Sequence, residues 1–197
     1  MKIMAKIFWT GKLSPLMKLM VNCNCVLAWI KGNTNDDSSM KQRVKLGYNG
    51  KFTNHIMGYE KKGLEHYTRF AKALLKKINI ENQKVLDVGC GSGILSFLLL
   101  EKSAKKVVAG DFSNRMLRWA KAKYIKQGYG NSNRIQFLCF DAESLPFNNE
   151  NFDIVVSGLV MGIVPNQEKM IAEMVRVARG GVYCSINTWS QTLLRGL

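Results

Sequence analysis

The sequence predicts an α/β fold in which a mostly parallel sheet carries helices on both faces, forming three layers. Two observations support this: strands and helices alternate, and the first strand ends in a glycine-rich turn that opens a helix. Such an alternation requires parallel strands, because each connecting helix crosses back over the sheet. The predicted strands are residues 85–88, 106–111, 135–140, 152–157 and 179–187, and the predicted helices are residues 92–101, 114–127 and 167–177.

Length and composition favour one domain in a reducing compartment. The chain has 197 residues, 47% of them hydrophobic, which is enough for one sizeable core. Its five cysteines form no C-x-x-C pair, so we interpret them as incidental or buried thiols of a cytoplasmic protein. With only two histidines, we expect no multi-histidine metal site.

Residues 1–45 are predicted to form a basic N-terminal extension and a polar linker, with the main domain at residues 46–197. The apolar run at residues 19–30 is too short for a transmembrane helix, which needs about 20 residues. Lys18 interrupts it, so it is also a poor signal peptide. Three interpretations stay open: a mobile tail, an amphipathic surface anchor, or an extension packed on the domain. The polar linker at residues 32–39 has little means to form a core, which favours disorder.

The net charge of +15 has two interpretations. Part of it lies on residues 61–77 and 102–126, where lysines and arginines alternate with apolar residues at helical spacing. Solvated helix faces are the favoured explanation. Attraction to an anionic partner such as RNA or a membrane surface is the alternative.

The turn at residues 84–93, K-V-L-D-V-G-C-G-S-G, is the first candidate binding element. Gly89, Gly91 and Gly93 lack the Cβ atoms that would keep a ligand from the backbone. The helix behind them offers unpaired N–H groups to an anion. The nicotinamide fingerprint would need its third glycine at position 94, where isoleucine stands. Asp87 precedes the turn on the strand, close enough to meet a cationic group.

A second strand ends in Asp111, about 20 residues beyond the glycines. This interval suits a carboxylate that binds ribose hydroxyls. Ser113 then caps the next helix. A strand-end aspartate is common, but one at this distance from such a turn is much less so.

Four runs, in order, resemble the motifs of class I S-adenosylmethionine-dependent methyltransferases, which have a Rossmann-like fold. They are D-V-G-C-G-S-G, V-A-G-D-F-S-N-R-M-L, F-D-A-E-S-L-P-F and F-D-I-V-V-S. The resemblance implies S-adenosyl-L-methionine as cofactor, with its methionine part on the glycine loop, its ammonium near Asp87 and its ribose on Asp111. It further implies that Phe112 flanks the adenine and that Asp141, with the next N–H, reads the adenine edge. The implied cofactor contacts are Asp87, Gly89, Cys90, Gly91, Gly93, Asp111, Phe112, Met116, Asp141, Ala142 and Ser157.

The acceptor pocket is predicted from two segments. Residues 58–77 form an amphipathic helix, and in the resembled family such a helix helps to cover the pocket. Tyr59, His66 and Tyr67 are its candidates to face a ligand, although ordinary packing explains each more simply. Just past the fourth strand, Leu159 and Met161 are expected to line the pocket, because ligands bind at the carboxyl ends of parallel strands.

The resemblance favours a small-molecule or lipid-like methyl acceptor. The third and fourth motifs look most like the group that includes quinone-biosynthesis C-methyltransferases. Base N-methyltransferases carry Asn or Asp, two prolines and an aromatic after the fourth strand, where this chain has S-G-L-V. An RNA methyltransferase is the less favoured alternative, supported by the basic helices. A non-catalytic binding domain is the other, since the family would continue with a helix and two strands after residue 197.

Overall fold

A six-stranded sheet whose neighbouring strands all run parallel forms the centre of the computed structural model, which describes residues 5–9, 37–61, 66–130 and 132–186. The strand order is β1-β6-β5-β2-β3-β4. The strands are β1 (Ala5–Trp9), β2 (Lys84–Val88), β3 (Lys106–Asp111), β4 (Ile135–Cys139), β5 (Phe152–Gly158) and β6 (Ala178–Ile186). All five predicted strands are therefore present, and β1 is an addition.

Helices accompany the strands on both faces of the sheet. They are α1 (Asp37–Asn49), α2 (Lys51–Lys61), α3 (His66–Leu75), α4 (Ile94–Glu101), α5 (Asn114–Tyr124) and α6 (Gln167–Val177). A π-type turn, Ile125–Tyr129, continues α5. The single helix predicted at residues 58–77 was wrong in this respect, because the end of α2 and the whole of α3 occupy this range. In the described part of the chain, no helix is both long enough and apolar enough to cross a membrane.

Two apolar clusters, one on each face, hold the layers together. Successive residues of a strand point to opposite faces, so an apolar run such as V-L-D-V supplies both clusters. The first contains Val85, Val107 and Ile154 with Leu74 of α3, Leu99 of α4 and Leu117 of α5. The second contains Leu86, Val108 and Val155 with Met170 and Met174 of α6. The predicted three-layer α/β architecture is confirmed.

The N-terminal region differs from the prediction in two ways. Ala5–Trp9 pairs with β6, with Ala5 opposite Val182 and Trp9 opposite Ile186, so β6 is not the edge strand of the sheet. Helix α1 begins at Asp37, inside the predicted linker, and the predicted boundary at residue 45 falls within it. Acidic and hydroxyl residues are polar but also favour a helix start, which the interpretation as linker overlooked. The other residues of the predicted extension, 1–4 and 10–36, lie outside the described part.

Candidate active site

The glycine loop leaves the carboxyl end of β2 and is fixed to the end of β3. The N–H groups of Gly89 and Cys90 both donate to the carbonyl oxygen of Gly110, at 2.8 Å each. Gly89 and Gly91 have φ angles of 76° and 53°, the left-handed region that favours glycine. A Cβ atom on Gly89 would lie 2.2 Å from Cγ2 of Val160, whereas one on Gly91 would meet only Cε of Met116, at 3.5 Å. The backbone at Gly91 is thus the more approachable part of the loop.

Asp111 joins the end of β3 directly to this loop. Its Oδ2 accepts a hydrogen bond from the N–H of Gly91 at 2.8 Å, and its Oδ1 accepts one from the N–H of Ser113, also at 2.8 Å. Burial raises the pKa of the Asp111 carboxyl, and these two hydrogen bonds oppose the rise. A carboxylate has about four lone-pair sites, so it can still accept two hydroxyl donors. The two positions predicted to hold the methionine and ribose parts are therefore adjacent.

Asp87 is fully buried in β2, just before the loop. Its Oδ2 accepts a hydrogen bond from Oγ of Ser96 at 2.6 Å, but its Oδ1 has no partner among the described residues. Burial raises the pKa of this carboxyl from 3.8 to about 7; the Ser96 hydrogen bond opposes the rise and the nearby Asp111 adds to it. An unsatisfied buried acceptor is costly, so Asp87 is suited to a cationic or donating partner.

Cys90 contributes to the loop through its backbone. Its side chain is buried, and burial raises the pKa of the thiol well above its ordinary value, with the Asp111 and Asp87 charges adding to the effect. The thiol is consequently neutral at physiological pH and is not a nucleophile. A role for Cys90 in binding would come from its position in the turn.

Asp141 lies in a cluster of charges that the sequence did not predict. Its Oδ2 accepts a hydrogen bond from Nζ of Lys41 in α1 at 2.7 Å, and the same Nζ lies 2.7 Å from Oε2 of Glu143. Glu143 is buried, and its Oε1 accepts a hydrogen bond from the N–H of Asn166. Burial would lower the pKa of Lys41, but the hydrogen bonds to Asp141 and Glu143 outweigh it and raise the pKa. Ala142, beside them, is half-buried.

The corner between α1 and α2 covers the start of α5. Ser113 caps α5 as predicted, accepting a hydrogen bond from the N–H of Met116. Its Oγ donates to the carbonyl oxygen of Tyr48 at 2.8 Å, and Nη1 of Arg115 donates to that of Gly50 at 2.8 Å. The N-terminal helices are thereby fastened to the strand end that carries Asp111.

Two further contacts place this corner over the predicted adenine side of the site. Nζ of Lys45 lies 5.1 Å from the centre of the Phe112 ring. Oγ1 of the buried Thr53 lies 3.4 Å from Sδ of Met116. Phe112 and Met116 were predicted from the sequence, but Lys45 and Thr53 were not. Lys45 and Thr53 come from a part of the chain that was predicted as linker or left unassigned. Only the folded structure shows that they lie beside Phe112 and Met116.

The ends of β5 and β6, where the acceptor pocket is predicted, contain buried and strained residues. Oγ of Ser157 donates to the carbonyl oxygen of Val88 at 2.8 Å, so this hydroxyl supports the strand that leads into the loop. Leu159 has a φ of 63°, and such strain in a residue with a side chain is enriched at functional sites. Met161 is buried in the second apolar cluster. Ser185 of β6, which sequence reasoning missed, has a buried Oγ that lacks a partner within the described ranges.

The helical candidates are only partly placed. Tyr59 lies in α2 and His66 opens α3, but their side chains lie outside the described part. Tyr67 follows in α3 and is half-buried. Leu74 and Leu75, at the other end of α3, anchor the helix in the first apolar cluster. The involvement of these three residues in ligand binding stays a prediction.

Comparison with known proteins gives a consistent result. Residues 86–186 match the protein family described as a methyltransferase domain. The demethylmenaquinone methyltransferase of Oceanobacillus iheyensis is 30% identical over 161 residues, 80% of this chain and 66% of that protein. The phosphatidylethanolamine N-methyltransferase of Cereibacter sphaeroides is 35% identical over 104 residues, 53% of this chain and 49% of that protein. The chain thus spans about half to two thirds of the length of these relatives.

Solved structures agree on the fold. A SAM-dependent methyltransferase from Aquifex aeolicus matches with a TM-score of 0.52 and 25% identity, covering 62% of this chain and 68% of that one. A Methanococcus maripaludis protein matches with a TM-score of 0.63, covering 76% of this chain and 68% of that one. At 22% identity the latter similarity concerns the fold alone.

Proposed function

Because this chain belongs to the family of the methyltransferase domain, we propose that it transfers a methyl group from S-adenosyl-L-methionine to a small-molecule or lipid-like acceptor. The observation that carries the proposal is the 2.8 Å hydrogen bond between Gly91 N–H and Asp111 Oδ2. It brings the approachable glycine backbone beside a carboxylate with spare acceptor sites. The cofactor is a nucleoside joined to an amino acid, so one molecule of it can contact the glycine backbone and the carboxylate only if the two lie close together.

The residues present fit this cofactor in three respects. The loop at Gly91 leaves room for a ligand at the backbone. Asp111 retains acceptor sites for two ribose hydroxyls. Asp87 has a buried oxygen without a donor among the described residues, which an ammonium group would satisfy. Asp141 and the N–H of Ala142 are the proposed adenine contacts.

The chemistry asked of the protein is mainly positioning. The bound cofactor supplies a methyl group that is already activated on a sulfonium. Holding two reactants in a reactive orientation can lower the activation barrier by about 7–11 kcal/mol, so a catalytic triad is not required. The α1–α2 corner covers Phe112 and Met116, and we propose that it keeps water from the adenine side of the ligand.

The proposed acceptor pocket lies beside the ends of β5 and β6. Leu159 and Ser185 meet there, with the N–H of Leu159 donating to the carbonyl oxygen of Ser185 at 3.0 Å. An apolar side chain, beside a hydroxyl that has no hydrogen-bond partner in the described part of the chain, suits a ring or lipid-like molecule that carries a polar group. The names of the similar proteins, a demethylmenaquinone and a phosphatidylethanolamine methyltransferase, support this acceptor class.

Free thiols at Cys90 and Cys139 favour the cytoplasm as the location.

Calorimetry with S-adenosyl-L-methionine on wild type, Asp111→Asn and Glu168→Gln tests the proposal. Asp111→Asn loses charge-assisted hydrogen bonds to two hydroxyls, so the Kd should rise on the order of 100-fold. Glu168→Gln makes the same charge change on the exposed start of α6 and should bind like wild type. Wild type that gives no heat of binding would refute the cofactor assignment.

Radiolabelled methyl transfer tests the acceptor class. Incorporation into a demethylated quinone or phosphatidylethanolamine, and its loss in Asp111→Asn, is the expected result. Cofactor binding with no transfer to either acceptor, or to a lipid and metabolite extract, would contradict the proposed acceptor class while leaving the binding assignment intact.

A further inference from the structure

A strongly cationic cavity lies at the amino ends of the strands, whereas the glycine loop lies at their carboxyl ends. Its volume is about 360 Å³, and it is lined at the amino ends of the strands by Lys84 of β2, Lys106 of β3 and Arg179 of β6, among others. The intervening strands separate the two places, because β2 alone spans five residues, roughly 16 Å. This cavity therefore does not belong to the site described above.

The carboxylate in the cavity is already engaged. Oδ1 of Asp153 accepts a hydrogen bond from Nη1 of Arg179 at 2.9 Å, and its Oδ2 accepts one from the backbone N–H of Lys84 at 2.9 Å. Nζ of Lys84 donates to Oδ1 of Asn151. Asp153 thus fixes the start of β2 and orients a guanidinium at the rim, and it neutralises at most one of the cations.

Lys105 and Lys106 have no counter-ion among the described residues. Both line the cavity and are exposed. Four cationic side chains against one carboxylate give the cavity a formal charge of +3. Like charges gathered in a concavity repel one another and concentrate the positive potential there, which attracts multivalent anions.

We propose that this cavity binds clustered phosphate groups, as in a di- or triphosphate or a multiply phosphorylated lipid headgroup. Lys105 and Lys106 would supply point charges. Arg179, whose Nη1 donates a hydrogen bond to Asp153 and whose Nη2 donates one to the carbonyl oxygen of Glu150, would offer its remaining N–H donors to phosphate oxygens. The ligand's two to four negative charges match the excess of cations. The site is independent of the methyl-transfer proposal.

Calorimetry with tripolyphosphate at 150 mM salt tests the cavity. The test variant is Lys105→Gln/Lys106→Gln, and the matched control is Lys121→Gln/Lys126→Gln, which removes the same charge from exposed positions outside the cavity. We expect the Kd to rise at least 10-fold in the test variant and less than 2-fold in the control. All four lysines are exposed, and circular dichroism would check that each variant is folded.

An experiment with lipid vesicles distinguishes a phosphorylated lipid headgroup from a free oligophosphate as the ligand. Sedimentation with vesicles containing phosphatidylinositol bisphosphate, competed by tripolyphosphate and lost in the test variant, would assign a lipid headgroup. Binding of tripolyphosphate with no sedimentation would assign a free oligophosphate. Equal losses in the test and control variants, or no heat from wild type at millimolar tripolyphosphate, would overturn the proposal.

Discussion

The ionisation of Asp87 should leave a measurable pH dependence in the stability of the free protein. Its pKa is about 7 in the folded chain, against an ordinary value of 3.8. Between these values the folded state holds a proton that the unfolded state has released, so stability falls as pH rises. The contribution is complete below about pH 3.8 and is lost above about pH 7. Asp87→Asn cannot ionise and should lack this dependence.

The expected size follows from the two pKa values. Each unit of difference corresponds to about 1.4 kcal/mol, so wild type should lose about 3 kcal/mol of unfolding free energy between pH 4.5 and pH 8 through Asp87. Asp111, whose pKa is also raised, adds a slope of the same sign to both proteins. Urea unfolding followed by circular dichroism at half-unit pH steps would give the two curves.

The difference between the curves reports Asp87 together with its interaction with Asp111. Glu168→Gln serves as the control and should follow wild type, since Glu168 is exposed. Parallel curves for wild type and Asp87→Asn would refute the reasoning, because they would mean that the buried carboxyl is already ionised near pH 4.5. The same variant should also weaken the rise in cofactor affinity that we expect between pH 6 and pH 8, where Asp87 becomes able to meet an ammonium.

Three further outcomes are expected. Gly89→Ala should lower the Tm by roughly 2–8 °C, since alanine at this φ costs about 1–2 kcal/mol. Its Cβ would also crowd Val160, and Gly89→Ala/Val160→Ala should recover the part due to crowding. Lys41→Gln should reduce the unfolding free energy by about 1–3 kcal/mol in urea titrations, because it leaves the buried Glu143 without its cation. Iodoacetamide should label the exposed Cys139 first among the described cysteines, and S-adenosyl-L-methionine should slow this labelling, as peptide mass spectrometry would show.

Each of these outcomes has its own control. Lys51→Gln removes an exposed lysine from the adjoining helix and should leave stability within about 0.5 kcal/mol of wild type. If Lys51→Gln lost as much unfolding free energy as Lys41→Gln, the stabilising role assigned to the ion pair between Lys41 and Glu143 would be contradicted. Cys184 is buried and burial raises the pKa of its thiol to about 12, so its labelling should be slow with or without cofactor. A Tm for Gly89→Ala equal to that of wild type would contradict the strain at this turn.

The parts of the fold that the sequence predicted are those encoded locally. The run V-L-D-V is short and places an apolar residue on each face, a pattern that favours a buried parallel strand. Asp111 was found because its distance along the chain from Gly91 reflects one strand–helix–strand unit, and that unit returns it to the same sheet edge. Ser113 was found because a helix cap is a short-range signal.

The parts that were missed depend on contacts between distant segments. Lys41 reaches Asp141 across 100 residues, and the polar residues around Lys41 were compatible with either a linker or a helix. The pairing of β1 with β6 likewise has no local signal, since five residues of mixed character can form an edge strand or none. Ser96 was missed because its hydroxyl is buried in an apolar helix, where its partner Asp87 is visible only in three dimensions.

The hydrogen bond between Gly91 and Asp111 ties the glycine loop to the end of β3 through the protein's own groups. A flexible glycine loop would lose backbone entropy when it closed on a ligand, at about 1–2 kcal/mol for each residue fixed. Here the strand-end carboxylate has already restrained the loop, so an incoming molecule meets a preorganised surface. Association would then be limited by diffusion and by the departure of solvent rather than by a search through loop conformations.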